Sequence, residues 1–206
     1  MNHYPMNNDI LSQYDTAQYL LAIEPPEVLR TELQRIKKEF SVKYDCPGAV
    51  QDKPRLGLIR FEQFAMNEAR IIRKLTQLLL PASSFMVELH DFAEIPTHSI
   101  CFGVTTYNRI TELVQSLRPV QAFLKIDKER KPHFIPEPHI FLARKLLPWQ
   151  FEKGWLEYSH THFSGKFMAE ELVLLRRRKD ENRYETLQRF PLKAEKLMEV
   201  KQGLLW

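Results

Sequence analysis

Two seven-residue stretches set the chemical question. Pro54-Arg55-Leu56-Gly57-Leu58-Ile59-Arg60 and Pro138-His139-Ile140-Phe141-Leu142-Ala143-Arg144 stand 84 positions apart and share the proline, the second leucine and the final arginine. His139 can take and return a proton near neutral pH, whereas Arg55, at the corresponding place, stays charged and offers a planar fork of donors. Alternate residues of a strand share a face, so Arg55 goes with Gly57 and His139 with Phe141. Two such strands facing across a cleft would set a guanidinium against an imidazole. That pair could hold an anion, with a single group left for acid/base work.

The other histidines carry weaker signals. His98, in Thr97-His98-Ser99, imitates a catalytic signature but occupies the place of the first strand of a repeat, near Gln18-Tyr19, not that of a motif strand. His133 follows Lys131-Pro132 in a loop that can approach the cleft mouth. His160 and His162 have no carboxylate or cysteine at ligand spacing beside them, so no metal site is expected. Arg176-Arg177-Arg178-Lys179 reads as a solvated hairpin tip, because a basic run without interleaved aromatics is a weak nucleic-acid signal. Six glycines in the chain form no phosphate loop and no Gly-x-Ser-x-Gly elbow, and no cofactor is expected.

The elements that must position these residues follow from pattern. Residues 1–17 read as a polar arm, and 19–23 as a short apolar strand stopped by Pro25-Pro26. These prolines open an amphipathic helix over 27–40 with Val28, Leu29, Leu33 and Ile36 on one face. A strand at 54–60, a helix at 62–80 ended by Pro81, and strands at 85–92 and 98–105 come next. A helix at 109–117, a basic connection, the strand 139–144, a helix at 149–158 and a hairpin of 167–176 with 184–192 complete the plan. Residues 193–206 read as a docked tail. Thr31-Glu32-Leu33 against Thr111-Glu112-Leu113, and Phe85-Met86 against Phe167-Met168, repeat in the same order at nearly the same offset. An internal repeat of about 18–92 and 98–176 is the expectation.

Composition sets the bounds. At 206 residues with 44% hydrophobic content, the chain can bury a core as one unit. Its formal charge of +4 permits an anionic partner without requiring one. Cys46 and Cys101 form neither a disulfide framework nor a zinc motif, which fits a reducing cytoplasm. The polar N-terminus is no secretory signal, and no apolar run is long enough to span a membrane.

The paired motifs, their prolines and the arginine after the second one resemble the two-histidine phosphoesterase superfamily, which includes the 2'-5' RNA ligase-like proteins and cyclic phosphodiesterases. That family carries His-Φ-Thr/Ser-Φ once per lobe; here Arg55 and Gly57 replace the first pair, and Phe141 replaces the second hydroxyl. The resemblance spans about residues 18–192. It implies an α+β fold of two pseudo-symmetric lobes, each a mainly antiparallel sheet with outer helices and a cleft between. It further implies a divergent member that has lost the two-histidine mechanism and binds a nucleotide or phosphate-ended ligand, such as an RNA end, through Arg55 and His139, with Gly57, Phe141 and His133 lining the cleft. The competing expectations are an enzyme with altered phosphodiesterase chemistry led by His139 and a non-catalytic interaction scaffold. Oligomeric state is open.

Overall fold

The structure is a computed structural model that describes residues 15–194; nearly all of the arm and of the tail expected from sequence lie outside them. Among the described residues nine strands form two antiparallel sheets. The first contains β1 (Thr16–Ile23), β2 (Leu56–Phe64), β5 (His133–Phe134), β8 (Glu171–Arg178) and β9 (Glu185–Pro191), in the order β5-β2-β1-β8-β9. The second contains β3 (Phe85–Ile95), β4 (Ser99–Val104), β6 (Ile140–Arg144) and β7 (Ser164–Ala169), in the order β6-β4-β3-β7. This is the α+β arrangement expected from the sequence. Its helices are α1 (Glu27–Lys43), α2 (Glu68–Leu79), α3 (Tyr107–Ser116), the one-turn α4 (Gln121–Leu124) and α5 (Pro148–Tyr158).

Helix α1 begins after Pro25-Pro26, whose fixed φ suits the entry to a helix, and buries Leu29, Leu33, Ile36 and Phe40. Val28, expected on that face, is instead exposed. Although α1 lies between two strands of the first sheet in sequence, it packs on the second. Phe40 lies against Gly154 of α5, beside Ile100 of β4, and Tyr44 just beyond the helix donates its hydroxyl to Glu157 at 2.7 Å. One continuous cluster of buried apolar residues therefore joins both sheets, from Tyr19 and Leu21 to Phe102 and Ile140, while Leu20, Ala22, Val173 and Leu175 form a smaller one.

Two expected boundaries are corrected. The helix placed at 62–80 begins only at Glu68, because β2 continues to Phe64. Phe61 stacks on Tyr19 across the ladder, with ring centroids 5.1 Å apart, and the buried Gln63 side chain hydrogen-bonds the Phe64 N–H. The strand expected at 167–176 is two strands in different sheets. Glu170 joins β7 to β8 where the chain passes from the second sheet to the first, and its carbonyl accepts the N–H of Leu192 at 2.8 Å.

Candidate functional site

Both motif strands carry the same irregularity. Between β1 and β2, Leu21 pairs with Ile59 and Ala22 with Gly57, so Leu58 is passed over. Between β4 and β6, Ile100 pairs with Ala143 and Cys101 with Phe141, so Leu142 is passed over. Each bulge sends two successive residues into the core, Leu58 with Ile59 and Leu142 with Ala143. Gly57 and Phe141 are consequently turned out of the core at matching places. Two residues before each, and on the same face, stand Arg55 and His139.

Arg55 is held inward, with 13% of its side chain exposed. Its Nε lies 3.8 Å from Glu24, a carboxylate also 3.8 Å from Arg30, and its Nη1 is buried with no hydrogen-bond partner. Burial lowers the guanidinium pKa, opposed by Glu24, yet an arginine remains a cation. Gly57 is covered by the methyl ends of Ile135 and Leu20. A Cβ added there would lie 3.2 Å from each.

His139 is half-buried on the second sheet. Its Nδ1 lies 3.8 Å from the Cys101 sulfur, which donates to the Ala93 carbonyl at 3.2 Å. Burial pushes the Cys101 thiol up to about 11, so it stays protonated and no thiolate–imidazolium pair forms. Burial also lowers the His139 pKa, opposed by Glu137, which favours the neutral ring. Tyr107 and Phe141 meet that ring edge-on, at 6.4 and 6.0 Å between centroids. The Arg144 guanidinium covers Phe141 at 5.4 Å and pairs with Asp52, tying β6 to the segment that leads into Arg55.

The two strands are sealed differently. The Leu58 carbonyl accepts the N–H of Ile135 at 2.9 Å, whereas β6 is a sheet edge whose Phe141 and Leu142 carbonyls accept from the Lys37 ammonium at 2.6 and 3.3 Å. Lys37 is 2% exposed, and burial pulls its pKa down to about 8.

Of the other sequence candidates, His133 is exposed on β5, paired with Arg60 and two residues from Ile135, on the rim of the face that carries Gly57. His98 lies in a turn with Nδ1 2.8 Å from the Pro96 carbonyl, beside Ser99, which pairs with Arg144 at the opposite end of the motif strand from His139. His162 does acquire a carboxylate neighbour, which its spacing did not reveal: Asp91 lies 3.4 Å from its Nδ1 and 3.0 Å from that of His90. Among the described residues no histidine, cysteine or carboxylate group is arranged to hold a metal ion. No described helix is long and apolar enough to cross a membrane. Sequence reasoning missed Glu24, Lys37, Cys101 and Tyr107; in the two ladders Ala22 and Cys101 hold matching places opposite Gly57 and Phe141.

No protein-family model matches the sequence, and no curated protein matches it. Solved structures do match in shape. Escherichia coli LigT complexed with 3'-AMP aligns at 17% identity over 86% of this chain and 98% of that one, with a TM-score of 0.56. LigT complexed with NADP+ aligns at 20% identity, 87% and 99% coverage and a TM-score of 0.54. TT0787 of Thermus thermophilus aligns at 18% identity, 86% and 99% coverage and a TM-score of 0.60. With two antiparallel sheets and outer helices, the chain has the fold of Escherichia coli LigT and of TT0787.

Proposed function

We propose that this protein is a divergent two-histidine phosphoesterase relative, built on an internal duplication, that binds a nucleotide or phosphate-ended ligand and has given up the two-histidine mechanism. The observation that carries the reading is the buried Arg55 Nη1, a charged donor without a partner, at the place in the first ladder that His139 holds in the second. A desolvated, unpaired donor is costly to keep unless a ligand uses it. LigT has been crystallised with phosphate, 3'-AMP and NADP+, which supports an anion of that class here.

The chemistry available is binding rather than turnover. A transfer through two histidines needs a base on the attacking oxygen and an acid on the leaving one, and Arg55 can be neither. Gly57 brings no hydroxyl, and Phe141 brings a ring. Losing one acid/base partner removes about 10²–10⁴ in rate. Hydrolysis of a 2',3'-cyclic phosphate by the purified protein should stay near background and should not change in His139→Ala. Efficient turnover that disappears in that variant would restore the enzyme reading. The cover of Ile135 and Leu20 over Gly57 favours a second reading, an interaction scaffold with a filled cleft. Calorimetric absence of phosphate and AMP binding would select it.

A further inference from the structure

The two ladders differ at the residue opposite each bulge. Ala22 stands opposite Gly57 in the first, and Cys101 stands opposite Phe141 in the second. The arginine of the first ladder needs no tautomer chosen for it, and a bare methyl group occupies that place. The histidine of the second, when neutral, carries its proton on one nitrogen or the other, and there a polar side chain occupies the place.

Cys101 is fully buried, and burial pushes its thiol up to about 11, so the sulfur keeps its proton. One S–H serves one acceptor. The Ala93 carbonyl of the neighbouring β3 lies 3.2 Å from the sulfur, and His139 Nδ1 lies 3.8 Å from it. The nearer acceptor takes the S–H, which leaves sulfur lone pairs facing Nδ1. A bare nitrogen there would face another lone pair, whereas an N–H there finds an acceptor. Among the described residues Nδ1 has no other hydrogen-bond partner. The remaining neighbours leave the choice to Cys101: Tyr107 of α3 and Phe141 of β6 offer ring contacts, and Glu137 acts on the charge of the ring from the segment before β6.

We propose that Cys101 is a positioning residue that holds neutral His139 with its proton on Nδ1, so that Nε2 is a hydrogen-bond acceptor and selects an oxyanion that still carries an O–H. The two ring nitrogens diverge, so Nε2 is turned away from Cys101. A fully deprotonated oxyanion meets a lone pair at Nε2, while one with a remaining hydrogen donates to it. Arg55 donates to both alike, so the discrimination falls to His139. A group built to pair with a ligand O–H rejects the analogue that lacks it, because the group is then left unpaired. The selection rests on the reading of Arg55 and His139 as one anion site; the tautomer does not.

The test combines nitrogen NMR of histidine-labelled, ligand-free protein at pH 8 with calorimetry of inorganic phosphate and sulfate at the same pH. Both ions are chiefly dianions there, and only phosphate keeps an O–H. Wild type should show a protonated nitrogen at Nδ1 and a bare one at Nε2, and should bind phosphate about tenfold more tightly than sulfate. Cys101→Ser retains one donor and one acceptor and should preserve both results. Cys101→Ala should move the proton to Nε2, the tautomer that a free histidine side chain favours, and should bring the two affinities together. A proton on Nε2 in wild type, or an unchanged tautomer in Cys101→Ala, overturns the positioning role. The expected tautomer with no preference for phosphate overturns the selection. Failure of wild type to bind either ion overturns the anion site and the selection with it, while the tautomer still decides the role of Cys101.

Discussion

The Lys37 ammonium donates to the carbonyl of Phe141 at 2.6 Å, from a helix that begins more than a hundred positions earlier in the chain. It closes the exposed edge of the strand that carries His139, and it does so while almost wholly desolvated.

That arrangement has a pH signature. A lysine with a pKa of about 8 when folded and about 10.4 when unfolded binds more protons in the unfolded state across that interval, so stability rises with pH through it. The gain is on the order of 2–3 kcal/mol by pH 10. Urea denaturation of wild type and Lys37→Met at pH 7, 8.5 and 10 should show the difference between them change by that amount, with the wild-type protein gaining. Parallel curves would mean that the burial of Lys37 is relieved by water.

Arg55 should show the opposite of a structural residue's behaviour. In the ligand-free protein its Nη1 has no partner, and Glu24 keeps Arg30. Arg55→Met should therefore be neutral or stabilising by about 1 kcal/mol, while binding of phosphate or nucleotide falls at least tenfold. Arg55→Lys should also bind less well because the planar fork is lost. A destabilisation above about 2 kcal/mol in Arg55→Met would make the residue structural.

Anion affinity should rise as the solution is made more acidic, because protonated His139 adds a donor. Burial holds its pKa below the ordinary histidine value, so the rise should begin below pH 6.5 in the free protein, lower than the sequence alone would suggest. Calorimetry between pH 5 and 8 measures this, and His139→Asn should flatten the profile. A wild-type profile already flat would remove His139 from the site.

Two glycines should respond very differently to alanine. A Cβ on Gly103 would collide with the His90 carbonyl oxygen, a backbone atom that cannot step aside cheaply. Gly103→Ala should cost about 2–3 kcal/mol or more. Gly48 has nothing within 4 Å and no positive φ, so Gly48→Ala should be neutral or slightly stabilising. Thermal midpoints of the two variants give the comparison directly, and similar midpoints would contradict the tight approach of β3 to β4.

The motif strands were legible because a proline and an aliphatic alternation mark them locally. Leu58 and Leu142 were also matched in sequence, although the bulges that pass over them depend on which partner strand each meets. The extension of β2 was hidden because Phe64, Ala65 and Ala69 imitate a helical stripe. Only the pairing with β1 shows that Phe61 and Gln63 belong to a sheet. The break at Glu170 was hidden for a related reason: residues on both sides of it favour strands, and nothing local says that they join different sheets. Lys37 and Asp91 act through partners 104 and 71 positions away. Such contacts exist only after the chain has closed on itself.

The placement of α1 on the second sheet, together with the return of the chain to the first sheet at Glu170, governs how the protein can assemble. A nascent chain ending near residue 96 would hold α1 with its apolar face uncovered and β1 without its β8 neighbour. Closing those contacts spans most of the sequence, which imposes a large loop-closure entropy and favours slow, all-or-none acquisition of structure. Divided near residue 96, neither half would cover its own apolar faces. Any change that splits, permutes or tethers the protein must keep α1 within reach of β4 and β6.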